Sequence, residues 1–128
     1  MDFELLHQYH DILESDSQYI RHIPEEFLIK HPWLCKIAVG NNPVTLKLIP
    51  ISLITRDLCD LAVNRSEKYF TVISYVPEGV CDQALCDKAF KINSSSFRFI
   101  PEKYRSGEMC LKAIEIDPSY KEPWFNKN

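Results

Sequence analysis

One short phrase occurs four times in this chain: Leu or Met, then Cys, two variable residues and Ala. The copies are Leu34-Cys35 with Ala38, Leu58-Cys59 with Ala62, Leu85-Cys86 with Ala89, and Met109-Cys110 with Ala113. The steps between these cysteines are 24, 27 and 24 residues. A second phrase, an aliphatic residue followed by proline, keeps the same interval at Ile23-Pro24, Ile49-Pro50, Val76-Pro77 and Ile100-Pro101. Self-similarity at a period of roughly 20–50 residues is the mark of a repeat architecture, in which each unit buries its apolar face against its neighbours.

The residues around each cysteine predict what one unit is made of. Four positions before the cysteines stand His31, Thr55, Asp82 and Ser106. The last three are good N-cap types, and His31 precedes a proline suited to the first helical turn. Seven positions after the cysteines stand Asn42, Ser66, Asn93 and Asp117, all N-cap types, two of them followed by proline. Each unit is thus expected to hold two short helices, the second ended by the aliphatic-Pro pair, because the residue before proline is pushed out of the α region. Each of those prolines can open a short third turn. Counting back from Pro24 puts Tyr9 in the cysteine slot, Ile12 in the alanine slot and Asp16 at the second cap. The expected fold is all-α, one domain over residues 1–128, an array of about four and a half helix-pair repeats. A degenerate first unit covers 3–23, further units start at 24, 50, 77 and 101, and Trp124-Phe125 form an aromatic cap.

Two units depart from the common spacing. Cysteine to the next aliphatic-Pro proline is 15 residues for Cys35 and Cys86 but 18 for Cys59. The extra three fall within residues 64–75, which carry Glu67, Lys68, Tyr69 and Phe70. The first full unit has two more residues before its cysteine, around Trp33. Insertions in a repeat array map to surface loops, often on the binding face; neutral length variation is the other reading.

Composition narrows the function classes. Net charge is −3 and no run of Lys/Arg occurs, so the electrostatic footprint of a nucleic-acid binder is missing. No apolar stretch approaches the roughly 20 residues of a membrane span. The acidic start, Met1-Asp2-Phe3-Glu4, lacks the regions of a signal peptide, which points to the cytoplasm. Without a secretory context the five cysteines read as free thiols. Cysteines in one slot of successive units lie about one helix spacing apart, farther than a disulfide spans, and so read as small buried apolar residues.

Little catalytic chemistry is written here, and no cofactor motif. His7 and His10, one turn apart, could bind a metal, although no acidic or cysteine partner stands at a convincing spacing; solvated histidines on a helix face are the plainer reading. The His31/Cys35 pair could be a base with its nucleophile, but three other cysteines in that slot lack a histidine. Cys81 falls outside the repeat register and is expected to be the most exposed thiol. A thiol- or metal-dependent enzyme using these residues is the alternative reading. Phe27, Phe90, Phe97 and Phe99 are expected in the core. Trp33, Tyr69 and Tyr104, with Tyr120, stand beside charged residues and suit the aromatic anchors of a protein interface. The candidate partner-binding residues are Trp33, Glu67, Lys68, Tyr69, Phe70 and Tyr104.

The phrase running from Ile100-Pro101-Glu102 through Cys110, Ala113, Asp117 and Pro118 resembles the short helical repeats of a domain-of-unknown-function family. That family recurs in bacterial and giant-virus proteins, including those of Legionella. The resemblance covers about residues 23–120 and carries no catalytic residues. It implies a scaffold that regulates by binding, and the chain is similar in size and repeat type to a small Legionella inhibitor of ubiquitin-modifying effectors. The implied partner is a bacterial effector enzyme, and the implied setting includes a host cell. Monomer and homodimer both stay open.

Overall fold

The computed structural model describes residues 3–120. Every regular element among them is helical, as expected. Six α-helices follow in order: α1 (Phe3–Ser15), α2 (Glu25–Lys30), α3 (Trp33–Asn41), α4 (Arg56–Asn64), α5 (Gln83–Ile92) and α6 (Gly107–Ile116). Between them run 3-10 turns at Ser17–His22, Pro43–Leu48, Ile51–Leu53, Val72–Tyr75, Ser94–Phe99 and Glu102–Tyr104, with Pro118–Tyr120 after α6. No helix among the described residues is long and apolar enough to cross a membrane. The expected aromatic cap, Trp124-Phe125, lies outside the described residues.

The caps form where hydroxyl, amide and carboxylate side chains can reach back to orphan N–H groups. Thr55, Asp82 and Ser106 accept from the backbone N–H of Leu58, Leu85 and Met109. Asn42, Asn93 and Asp117 accept from those of Val44, Ser95 and Ser119. Three expected caps differ. Asp16 stands at the cap of Ser17–His22 but makes no side-chain cap bond. His31 closes α2, and Pro32 opens α3 in its place. Ser66 is buried and turns its hydroxyl back to the Val63 carbonyl at 2.6 Å. The extra residues of that unit carry the chain on to Thr71 before the next 3-10 turn starts.

The second helices are 3-10 turns rather than α-helices. Their hydrogen bonds close over three residues, as from Thr45 N–H to the Asn42 carbonyl and from Ser96 N–H to the Asn93 carbonyl. Six residues between a cap and a pre-proline residue leave no room for a cooperative α-helix. Buried hydroxyls tighten the same turns: Thr45 and Ser96 each donate to the carbonyl of their cap residue at 2.7 Å. Ile23, Ile49, Val76 and Ile100 end these turns in extended conformation and are all buried. Pro24, Pro50 and Pro101 then share one backbone geometry, with φ of −56°, −56° and −55°.

α1, α3, α4 and α5 pack one on the next, and the 3-10 turns Ser17–His22, Pro43–Leu48, Val72–Tyr75 and Ser94–Phe99 pack in the same order. The repeated phrase lies between these two layers. Leu34, Leu58, Leu85 and Met109 are buried, as are Ala38, Ala62, Ala89 and Ala113. Ile20, Leu46, Ile73 and Phe97 fill the core from the 3-10 side. Of the four phenylalanines expected inside, Phe97 alone is fully buried, while Phe27, Phe90 and Phe99 pack half-buried against the core. Tyr9, expected in the cysteine slot, is half-buried and sets its ring 5.0 Å from that of Phe27. Asn41 donates from its side-chain amide to the Leu13 carbonyl, tying the end of α3 to the end of α1. Asn93 does the same to Glu67.

Candidate partner-binding surface

The residues chosen from the sequence separate into two places. Trp33 opens α3, 40% exposed, with its ring 6.0 Å from that of His10 on α1. The inserted stretch after α4 holds Glu67 and Lys68 in solvent and leaves Tyr69 and Phe70 exposed at 38% and 39%. The Phe70 ring packs 5.7 Å from that of Phe99. Phe99 in turn lines a groove of about 300 Å³ with Ile73, Val76, Cys81, Lys103 and Tyr104. Phe70 and Tyr104 therefore meet through Phe99 on one surface, and Trp33 is not part of that groove's wall. The side chain of Tyr120 is outside the described set.

Tyr104 is held by both ends. Its hydroxyl donates to the Cys81 carbonyl at 3.2 Å, and its own carbonyl accepts from the Gln83 amide at 2.8 Å. Lys103 lays its ammonium 5.1 Å from the same ring and reaches toward Glu78 at 3.9 Å. The groove thus has an aromatic and aliphatic floor with one cation and one carboxylate at its edge. Phe99, expected in the core, is half-buried along this groove instead. Nothing local in the sequence distinguishes its half-buried ring from the buried ring of Phe97.

A second, wider groove of about 720 Å³ lies between α5 and α6. Phe90, Met109 and Ile116 give it apolar patches, and Asp87, Lys91, Glu108 and Lys112 give it charge of both signs.

An ion network ties α4 to α5 at their N-terminal ends. Arg56 pairs with Asp60 on its own helix and with Asp82 at the cap of α5, while Lys88 reaches Asp60 at 3.4 Å. The Leu85 N–H, with help from Arg56, holds the Asp82 carboxyl below its ordinary value. Hydrogen bonds to the carboxylates of Asp82 and then Asp60 hold Arg56 above its own.

The thiols differ from expectation at two positions, Cys81 and Cys110. Cys35, Cys59 and Cys86 are buried as expected and Cys110 is half-buried. Cys81, expected to be exposed, is buried at 8% and sets its sulfur 3.3 Å from that of Cys86. It precedes the cap of α5 and folds back on the helix's first turns, as an apolar residue in that place does. Burial pushes the Cys35 and Cys59 thiols up to about 11, opposite to the shift that activates a nucleophile. The ring of His31 packs on Phe27 at 4.7 Å.

The α1 histidines do have acidic neighbours. His10 lies 3.4 Å from Asp11 and 3.1 Å from Glu14, and His7 lies 3.6 Å from Asp11. One ligand atom each from His10, Asp11 and Glu14 falls within 4.8 Å of the others. Asp11 and Glu14 are exposed and His10 is half-exposed, and such pairs one helical turn apart form as ordinary surface contacts. Comparison with protein-family models, with curated proteins and with solved structures finds no match.

Proposed function

We propose that this chain is a protein-binding scaffold of the helical-repeat kind, acting as a steric inhibitor or regulator of a partner enzyme. The observation that supports this most is the exposed pair Tyr69 and Phe70, with Phe70 packed on Phe99 beside the groove that ends at Tyr104. Aromatic anchors that are partly buried before binding lose little side-chain entropy on docking, and a polar rim then excludes water from them. Glu67, Lys68 and Lys103 would supply that rim. Trp33 would serve as a separate contact on the α1 side.

The thiols support the same reading over a thiol-dependent enzyme. Cys35 and Cys59 stay protonated near neutral pH, and their burial closes them to a substrate. Blocking an active site requires only a rigid face. The resemblance of the repeated phrase extends the proposal to the partner, a bacterial effector enzyme of the ubiquitin-modifying class, met in the cytoplasm or in a host cell.

The test is to capture the partner on tagged protein from a lysate of the source organism, then titrate the purified chain into that enzyme's assay. Loss of activity saturating at one chain per enzyme is expected. An enzyme that binds this chain and keeps full activity at saturation would overturn the inhibitor reading.

A further inference from the structure

We propose that Cys81 and Cys86 form an oxidisable dithiol at the start of α5, a modification site that hydrogen peroxide converts to an intramolecular disulfide. The two sulfurs lie 3.3 Å apart, and the chain around them is held in place. Asp82, between them in sequence, caps α5. The Cys81 N–H donates to the Pro77 carbonyl at 3.0 Å, and the Cys81 carbonyl accepts the Tyr104 hydroxyl. From 3.3 Å the sulfurs need approach by little more than an ångström to reach the bonded distance of about 2.05 Å.

Comparison among the units isolates this pair. Five residues before the other slot cysteines stand Lys30, Ile54 and Arg105. Ile54 is an aliphatic residue packed half-buried against the core, the use a hydrophobic residue before a cap commonly has. At α5 that place holds a second sulfur.

Access assigns the roles. Cys81 lines the groove beside Val76 and Tyr104, whereas Cys86 is fully buried behind it. The Cys81 sulfur attacks one peroxide oxygen, the O–O bond breaks, and a sulfenic acid and one water result. The Cys86 sulfur then attacks the Cys81 sulfur. The S–S bond forms, the S–O bond breaks, and the departing hydroxide takes the Cys86 proton to become the second water. The sulfur pair loses two electrons and the peroxide gains them. Burial, and the hydrogen bond with Cys81, hold the Cys86 thiol above its usual value, so it is protonated before the sulfenic acid forms.

The experiment treats the native full chain with hydrogen peroxide, then denatures it, alkylates free thiols and reads intact mass and peptide map. The expected result is loss of two of the five alkylatable thiols, a Cys81–Cys86 cross-linked peptide, and full recovery with dithiothreitol. In Cys86→Ala the cross-link is absent and dimedone traps Cys81 as its sulfenic acid. In Cys81→Ala the same peroxide dose leaves all remaining thiols alkylatable. Retention of five thiols in the wild type, oxidation of Cys110 before Cys81, or loss of Cys86 in Cys81→Ala would each overturn the proposal.

Discussion

Cys59 shows what a slot in a repeated core asks of a side chain. It is fully buried, and burial pushes its thiol up to about 11, so it fills space as a small apolar group. Cys59→Ser should therefore cost more than Cys59→Ala, because a hydroxyl buried there without a partner loses about 1–3 kcal/mol. Cys110→Ser, half-buried, should cost less than Cys59→Ser; urea unfolding of the three variants checks the order. Gly40 predicts a gain instead. It lies inside α3 with negative φ, and an added Cβ would meet only Leu61 at 4.0 Å. Gly40→Ala should stabilise by about 0.5–1 kcal/mol, read as a rise in melting temperature. The burial of Cys35, Cys59 and Cys86 was readable from the sequence, because the same slot recurs with the same chemistry. Cys81 was not, since it falls outside the register and its burial comes from folding back over the Asp82 cap.

Caps act at the scale of the element, and they make unequal contributions that can be ordered. Asn42 caps its 3-10 turn through Val44 N–H. Asn93 caps its own through Ser95 N–H and also donates to Glu67 in the inserted stretch. Losing a cap alone costs about 1 kcal/mol, so Asn93→Ala should destabilise by more than Asn42→Ala, checked by thermal melts of the two variants. Asp82 sets the acid response of α5. Its folded carboxyl titrates below the ordinary carboxylate value, so its stabilisation is full above the unfolded value of about 3.9. It is lost as pH falls through the lower folded value. Asp82→Asn should be less stable than wild type at neutral pH, and the gap should close in acid. The capping pattern of α4, α5 and α6 was visible in Thr55, Asp82 and Ser106. The 3-10 geometry of the second helices was not, because cap chemistry marks where a turn starts and leaves its winding to the six residues available before the proline. The start of Val72–Tyr75 was displaced from Ser66 by the insertion, which spacing could flag but not route.

At the scale of the molecule, two packed layers present side chains that the shared register does not dictate. Ile20, Leu46, Ile73 and Phe97 are interchangeable in kind, and Phe97→Ala should cost about 3–5 kcal/mol for its loss from a fully buried site. Tyr69 and Phe70 have no counterpart in the other units. The insertion that carries them was legible as three residues of excess length, and the packing of Phe70 on Phe99 beside Tyr104 was not, because it depends on how one layer packs on the next. Trp33 shares their chemistry but not their surface. The measurement that tests the account most directly is capture of a partner by wild type and by the Tyr69→Ala/Phe70→Ala variant, each first shown to have the same helical circular dichroism and melting temperature. The account predicts a stoichiometric partner on the wild type that is lost from the variant. Equal capture by both, with folding intact, would contradict it.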